Sequence, residues 1–382
     1  MKTILKLIGG LLIGACVGIF CVGPIIALIE GKSISTVYQT ILSMFSLKDV
    51  AEIGLMLLAA LVAFVLNIVF HEAGHLVAGL LTGYRFVSFR FMNWTLIRND
   101  GHLQWRNFEL AGTGGQCLMA PPDKPLDEID TRWYNAGGVL ANTLIAVVSL
   151  ALIWACDLPH WLDGLLAIMA IINFLTALTN GIPMKLGGVA NDGYNLLQLE
   201  KDTAGKQCFC NILDINARSQ TGEPYTEMPE RLFTLPQPLD WANTMHVGGA
   251  LGFFTRLVAL HRWEEAYQQL TDALSHQDMT IALYRLEMEN MMTQVCLLTH
   301  RDDEARQHYT KEVAKYVSQH ASTQSDKQFT TMAVALVLEG DRPRAEKIFT
   351  QLDTQRDKYI HQGDVAMSLD LMQWLLESRH DE

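Results

Sequence analysis

The residues of this sequence best suited to chemistry are His71, Glu72 and His75, in the run His71-Glu72-Ala73-Gly74-His75. In a helix the two histidines lie one turn apart on one face, where their imidazoles can share a zinc ion. Glu72 beside them can take a proton from water held on that ion, which is the chemistry of metal-assisted peptide hydrolysis. A catalytic zinc usually takes three protein ligands and leaves a fourth position open. The strongest candidate for the third is Asp192, in the stretch that opens Asn180-Gly-Ile-Pro183 and closes Asn191-Asp192-Gly193.

The motif sits in an unusual place. Residues 53–70 before it and 76–82 after it are almost wholly apolar, so the histidines and the carboxylate fall within a segment of membrane length. Ionisable groups there are costly to insert and mark function. Further apolar runs cover 4–29, 136–156 and 165–178. The first continues past a loose lipoprotein-like site at Ile13-Gly-Ala-Cys16, so a retained helix over 1–30 is expected rather than a cleaved signal. Between residues 83 and 132 the pattern changes to short aromatic and β-branched pieces around Asp100-Gly101, which predicts a β-hairpin from Arg85 to Trp105.

Charge divides the chain. Residues 1–202 carry 12 Lys and Arg against 15 Asp and Glu, and residues 203–382 carry 17 against 26. An acidic, solvated second half with no basic surface excludes nucleic acid as a partner. The six Lys and Arg of 83–132, against none in the turn at 157–160, place the amino terminus, the hairpin and the carboxy-terminal half on the cytoplasmic side. Seven cysteines without paired metal or disulfide spacing give no covalent framework.

After residue 203 helical periodicity takes over, and a repeat emerges. Ala266, Ala305 and Ala345 recur 39 and 40 residues apart, each followed four positions later by Leu270, Tyr309 or Phe349. The pattern resembles tetratricopeptide repeats at a longer spacing. The fold class expected is therefore a polytopic α-helical membrane protein of about four spans, with a cytoplasmic β-hairpin and a carboxy-terminal α-helical repeat domain. Its parts are a helix at 1–30, a core at 51–202 with its hairpin loop at 83–132, and a helical domain at 203–382 suited to a protein partner.

Across residues 51–200 the sequence resembles the site-2 protease family of intramembrane zinc metalloproteases. The matching motifs are His71-Glu-Ala-Gly-His75, Gly138-Val-Leu-Ala-Asn142, and Asn180-x-x-Pro183 followed by Asp192-Gly193. The resemblance implies that His71, His75 and Asp192 hold Zn2+, and that Glu72 is general base and then proton donor. It implies that Asn142 and Asn180 lie near the substrate; helix packing and helix capping are their plainer roles. It further implies a multi-pass protein of the cell membrane that cuts a membrane-spanning protein or peptide precursor, with strand-like elements pairing with the unwound substrate. The sequence departs from the family in one respect: eight residues, Met184 to Asn191, separate Pro183 from Asp192, where four are usual. Asp163 and Glu200 are poorer ligands. None of Glu109, Glu128 and Glu200 opens the Glu-x-x-x-Asp pattern of a rival membrane endopeptidase clan. The alternative of another class is a membrane-anchored helical-repeat scaffold with a non-proteolytic zinc centre.

Overall fold

The computed structural model describes residues 33, 35–36, 47–99, 101–108 and 114–379. The span expected over 1–30 lies outside them. Among the described residues the chain is mostly helical, with three helices long and apolar enough to cross a membrane and a small antiparallel sheet. Helix α1 (Leu47–Leu81) carries the motif. No proline interrupts it, and it stops where Gly83 adopts φ +87 and the Tyr84 amide bonds the Gly79 carbonyl at 2.9 Å, a left-handed cap that closes the last carbonyls. Helices α2 (Arg132–Ala155) and α3 (His160–Gly181) follow. The third begins five residues before the apolar run predicts, because Pro159 takes its N-cap position and the polar first turn still folds as helix.

Outward faces of these helices carry large apolar side chains in the open, with Trp154 90% and Leu81 83% exposed. Surfaces of that extent call for a membrane or a partner. Inside the bundle α1 and α2 touch backbone to backbone: a Cβ added to Gly74 would lie 2.2 Å from the Gly137 carbonyl oxygen. Small residues at such a crossing are what close helix approach requires.

Strands β1 (Arg85–Phe91), β2 (Trp94–Asn99), β3 (His102–Asn107) and β4 (Gly115–Ala120) form one sheet in the order β3-β2-β1-β4. The hairpin predicted from Arg85 to Trp105 is thus two successive hairpins, the second turning at Gly101 with φ +79. Strand β4 is an addition to the sequence expectation, since Gly-Gln-Cys-Leu-Met-Ala has neither alternation nor β-branched residues. Its last four residues are buried, and burial rather than propensity makes it a strand. A bulge between Phe86 and Ser88 sets the register of β1 against it.

Past α3 the chain forms a two-residue-strand hairpin, β5 (Lys185–Leu186) and β6 (Val189–Ala190), then the short helix α4 (Asp192–Gln198) and helix α5 (Thr203–Gln220). The second half of the chain is helical, with α6 (Thr244–Ala259) packed on α7 (Trp263–Ser275), and α8 (Ala282–Leu298) on α9 (Asp302–His308). Helices α10 (Lys311–His320), α11 (Ser325–Ala333), α12 (Arg342–Thr354) and α13 (Gln362–Ser378) complete it. Ala266, Ala305 and Ala345 are each 0% exposed, at the second-helix contact of each pair.

The turns of the repeat share one device. His261, His300 and Gly340 all have positive φ, of 56, 57 and 70 degrees, and fall at the same place in successive repeats. In the first two, the following amide reaches back five residues, Arg262 to Leu257 at 2.9 Å and Arg301 to Cys296 at 2.8 Å. In the third it reaches back six, Asp341 to Ala335 at 2.8 Å, because a π-helical turn at Val334–Leu338 holds one additional residue.

Candidate metal centre

His71 and His75 project from the middle of α1, and Asp192 is the first residue of α4. Their donor atoms converge. His71 Nε2 lies 3.2 Å from Asp192 Oδ2, His75 Nε2 lies 3.4 Å from it, and the two Nε2 atoms are 3.2 Å apart.

Protons do not hold this triangle together. His75 Nδ1 is 2.7 Å from the Tyr134 carbonyl oxygen, which can only accept, so that ring carries its hydrogen on Nδ1. His71 Nδ1 is 2.6 Å from Asn142 Oδ1 and donates likewise. In the neutral rings both Nε2 atoms are then lone-pair donors, facing each other and a carboxylate oxygen that is buried without a hydrogen-bond partner. Three electron-rich atoms turned on one point form a site that can hold a metal ion.

The eight residues before Asp192 have a simple structural account. Gly187 and Gly188, with φ of +58 and +88, make the tight turn of the β5–β6 hairpin, and the Asn191 amide returns to the Met184 carbonyl at 3.1 Å. The loop's two ends meet, so its length adds little to the distance covered. Asn191 then fastens the junction: its Oδ1 accepts from the Tyr194 amide at 2.9 Å as a helix cap and from the Met184 amide at 3.1 Å. Its Nδ2 donates to the carbonyls of Thr179 and Ile182 at 2.8 and 2.7 Å. Asp192 is thereby held against the end of α3.

A cavity of about 260 Å³ opens on the triangle, lined among others by Glu72, Gln116, Cys117, Asn180 and Phe209. Glu72 faces the same space as the donors, with Gly115 of β4 against it: a Cβ there would lie 2.8 Å from Glu72 Oε1. Tyr134 ties the wall together, since its hydroxyl donates to the Cys117 carbonyl at 2.8 Å while its own carbonyl orients His75. Cys117 is no nucleophile at neutral pH, because burial and the nearby Glu72 carboxylate push its thiol far above the ordinary value.

Of the residues expected at the site, His71, Glu72, His75, Asn180 and Asp192 share the cavity. Asn142 does not. It is 0% exposed and stands behind His71, with its Oδ1 2.6 Å from His71 Nδ1. Asp163 lies in the first turn of α3, and Glu200 is engaged with the Thr131 amide and hydroxyl and with Lys206; neither joins the triangle. The strand beside the site is β4, at the opposite sheet edge from the β2–β3 hairpin. Residues missed in the sequence are Tyr134, which looks like an ordinary interfacial aromatic, and β4 itself. Asn67 and Asn173 were also missed, although a polar amide in an apolar span is a signal in its own right.

Room for the imidazoles depends on Gly138. A Cβ there would lie 2.4 Å from His71 Cε1 and 2.6 Å from His75 Nε2, distances no carbon tolerates. Gly138→Val is therefore expected to leave helix α2 intact and to prevent the triangle from holding a metal ion, measured as zinc per mole of purified protein. Full zinc content in this variant would show that the rings do not pack as described.

Comparison with protein-family models, with curated proteins and with solved structures finds no match to this chain.

Proposed function

We propose that this chain is a zinc endopeptidase of the site-2 protease type, cutting a peptide bond within or beside a membrane-spanning segment of a protein or peptide precursor. The observation that carries the reading is the donor triangle with Glu72 on the same cavity, in a helix long enough to cross a bilayer. Tetrahedral zinc with bonds of about 2.0–2.1 Å has ligand-to-ligand edges of about 3.3 Å, and the three edges here are 3.2, 3.2 and 3.4 Å. His71, His75 and Asp192 would hold the ion by three corners and leave the fourth toward the cavity.

When bound, zinc supplies Lewis-acid polarisation of the scissile carbonyl and acidifies water at neutral pH. The chain's own groups do the rest. Glu72 takes the proton from the attacking water and delivers it to the leaving amine. Asp192 and the two oriented imidazoles keep the donor set fixed while charge develops. Asn180, on the cavity wall, is placed to meet the substrate backbone.

A helical substrate hides its peptide bonds, so it must be extended before it is cut. Among the described residues strand β4 pairs only with β1, and its other edge borders the cavity beside Glu72, where an extended segment would add as a further strand. Cross-linking from Gln116→Cys to single cysteines along a bound substrate should then alternate with a period of two. A period of three to four, or none, would remove β4 from the reading.

The first span and the orientation complete the proposal: four spans, with the sheet and the helical repeats cytoplasmic and the repeats free to bind a protein partner. Cys156 tests this. It is exposed at the turn between α2 and α3, on the side away from the sheet, whereas burial pushes the Cys208 and Cys210 thiols up to about 11 and about 12. A membrane-impermeant maleimide added to intact cells should label the protein, and Cys156→Ser should abolish the label. Labelling only after lysis would invert the topology. The proteolysis itself is tested by cleavage of co-expressed single-span proteins with and without Glu72→Gln.

A further inference from the structure

We infer that Asn173 on α3 is a positioning residue that sets the tautomer of His71 through Asn142, with Asn67 of α1 as a second partner; this rests on the metal-centre reading of the same site. The three amides come from α1, α2 and α3 and meet inside the bundle. Asn67 is 4% exposed, Asn142 0% and Asn173 0%.

Their orientations follow from one fixed point. Asn173 Nδ2 lies 2.9 Å from the Met169 carbonyl oxygen, one turn back in its own helix, and a carbonyl cannot donate. The nitrogen of Asn173 is thereby assigned, and its Oδ1 must be the atom that faces Asn142. The Asn142 atom 2.7 Å from that oxygen is then Nδ2, which also donates to Asn67 Oδ1 at 2.8 Å. Both amide hydrogens of Asn142 are committed, so its Oδ1 is turned to His71 Nδ1 and can only accept. His71 must carry its hydrogen on Nδ1 and present Nε2 as a lone pair toward Asp192 and His75. A helix that holds no zinc ligand thus decides whether His71 is one.

Packing alone does not explain the cluster. Leucine is close to asparagine in length and would fill the same space. What leucine cannot do is point a donor one way and an acceptor the other. If Asn142 were free to turn, its amide nitrogen would face His71 half the time and favour the hydrogen on Nε2, where it blocks the metal.

The test uses full-length protein in detergent with two readouts, neither of them peptidase activity. The first is the 15N chemical shift of the His71 ring in metal-free protein, which separates the two tautomers. The second is zinc affinity by competition with a chelator. In the wild type His71 should be the Nδ1–H tautomer. Asn173→Leu should give a mixture of tautomers and weaken zinc roughly tenfold or more, the range seen when an outer-shell partner of a zinc ligand is lost.

Adding Asn142→Asp to Asn173→Leu should restore both readouts, because a carboxylate accepts from Nδ1 whichever way it is turned. Should Asn173→Leu fail to accumulate, the smaller Asn173→Ala serves in its place. An unchanged His71 tautomer in the single variant, or equal loss of zinc in the single and double variants, overturns the inference. Variants that behave as expected in a protein that cuts no substrate would uphold it and overturn the protease reading alone.

Discussion

Replacing Glu72 with glutamine will reduce cleavage of a single-span substrate by about 10²- to 10⁴-fold, the loss typical when a general base is removed, and will leave zinc content unchanged. The two halves of that result come from different atoms. Glutamine has the shape of glutamate and packs in the same way against Gly115, where an added Cβ would lie 2.8 Å from Glu72 Cγ. It is not part of the donor triangle of His71, His75 and Asp192. The amide cannot take a proton from water and pass it to an amine. Immunoblots of substrate processing, alongside metal analysis of the same preparations, check both halves. Equal processing by wild type and variant would remove the peptidase and leave the scaffold with a non-proteolytic centre.

Changing Asp192 to alanine will abolish both activity and stable zinc binding. The loss of affinity should exceed the roughly 10- to 100-fold produced by an outer-shell change, because a ligand itself is gone and two imidazole lone pairs 3.2 Å apart remain. The carboxylate also carries the one negative charge among the three ligands. Glu200 is not free to replace it, being held by Thr131 and by Lys206 at 2.8 Å. Chelator competition and zinc stoichiometry are the measurements. Undiminished zinc in Asp192→Ala would place the third ligand elsewhere.

Much of the site was legible from sequence because it is written in local patterns. Two histidines one turn apart remain one turn apart in any helix, and an apolar run of membrane length permits little else. The alanines of the repeat could be read because each helix pair buries a small residue at the same contact. What escaped reading depended on distant partners. Strand β4 has the composition of a loop and is a strand only because β1, α1 and α5 bury it. The eight residues before Asp192 looked too long as a count, and only the turn at Gly187-Gly188 shows that the excess folds back on itself. Asn142 could be found as a polar residue in a span, but which of its amide atoms faces His71 follows from its bond to Asn173, 31 residues further on.

Helix α5 opens the acidic half of the chain, yet Phe209 and Leu213 on it line the cavity at the donor triangle. Cys210 packs with Tyr84, Cys117, Met119 and Tyr134 beneath the sheet. From its other side Cys208 meets α6, where a Cβ on Gly249 would lie 2.9 Å from its sulfur. The division that charge and hydropathy draw near residue 203 is therefore one of solvent, not of modularity. One wall of the cavity at the donor triangle is supplied by the part of the chain that looks dispensable, so whatever grips the helices after residue 220 has a lever arm one helix long ending at that cavity.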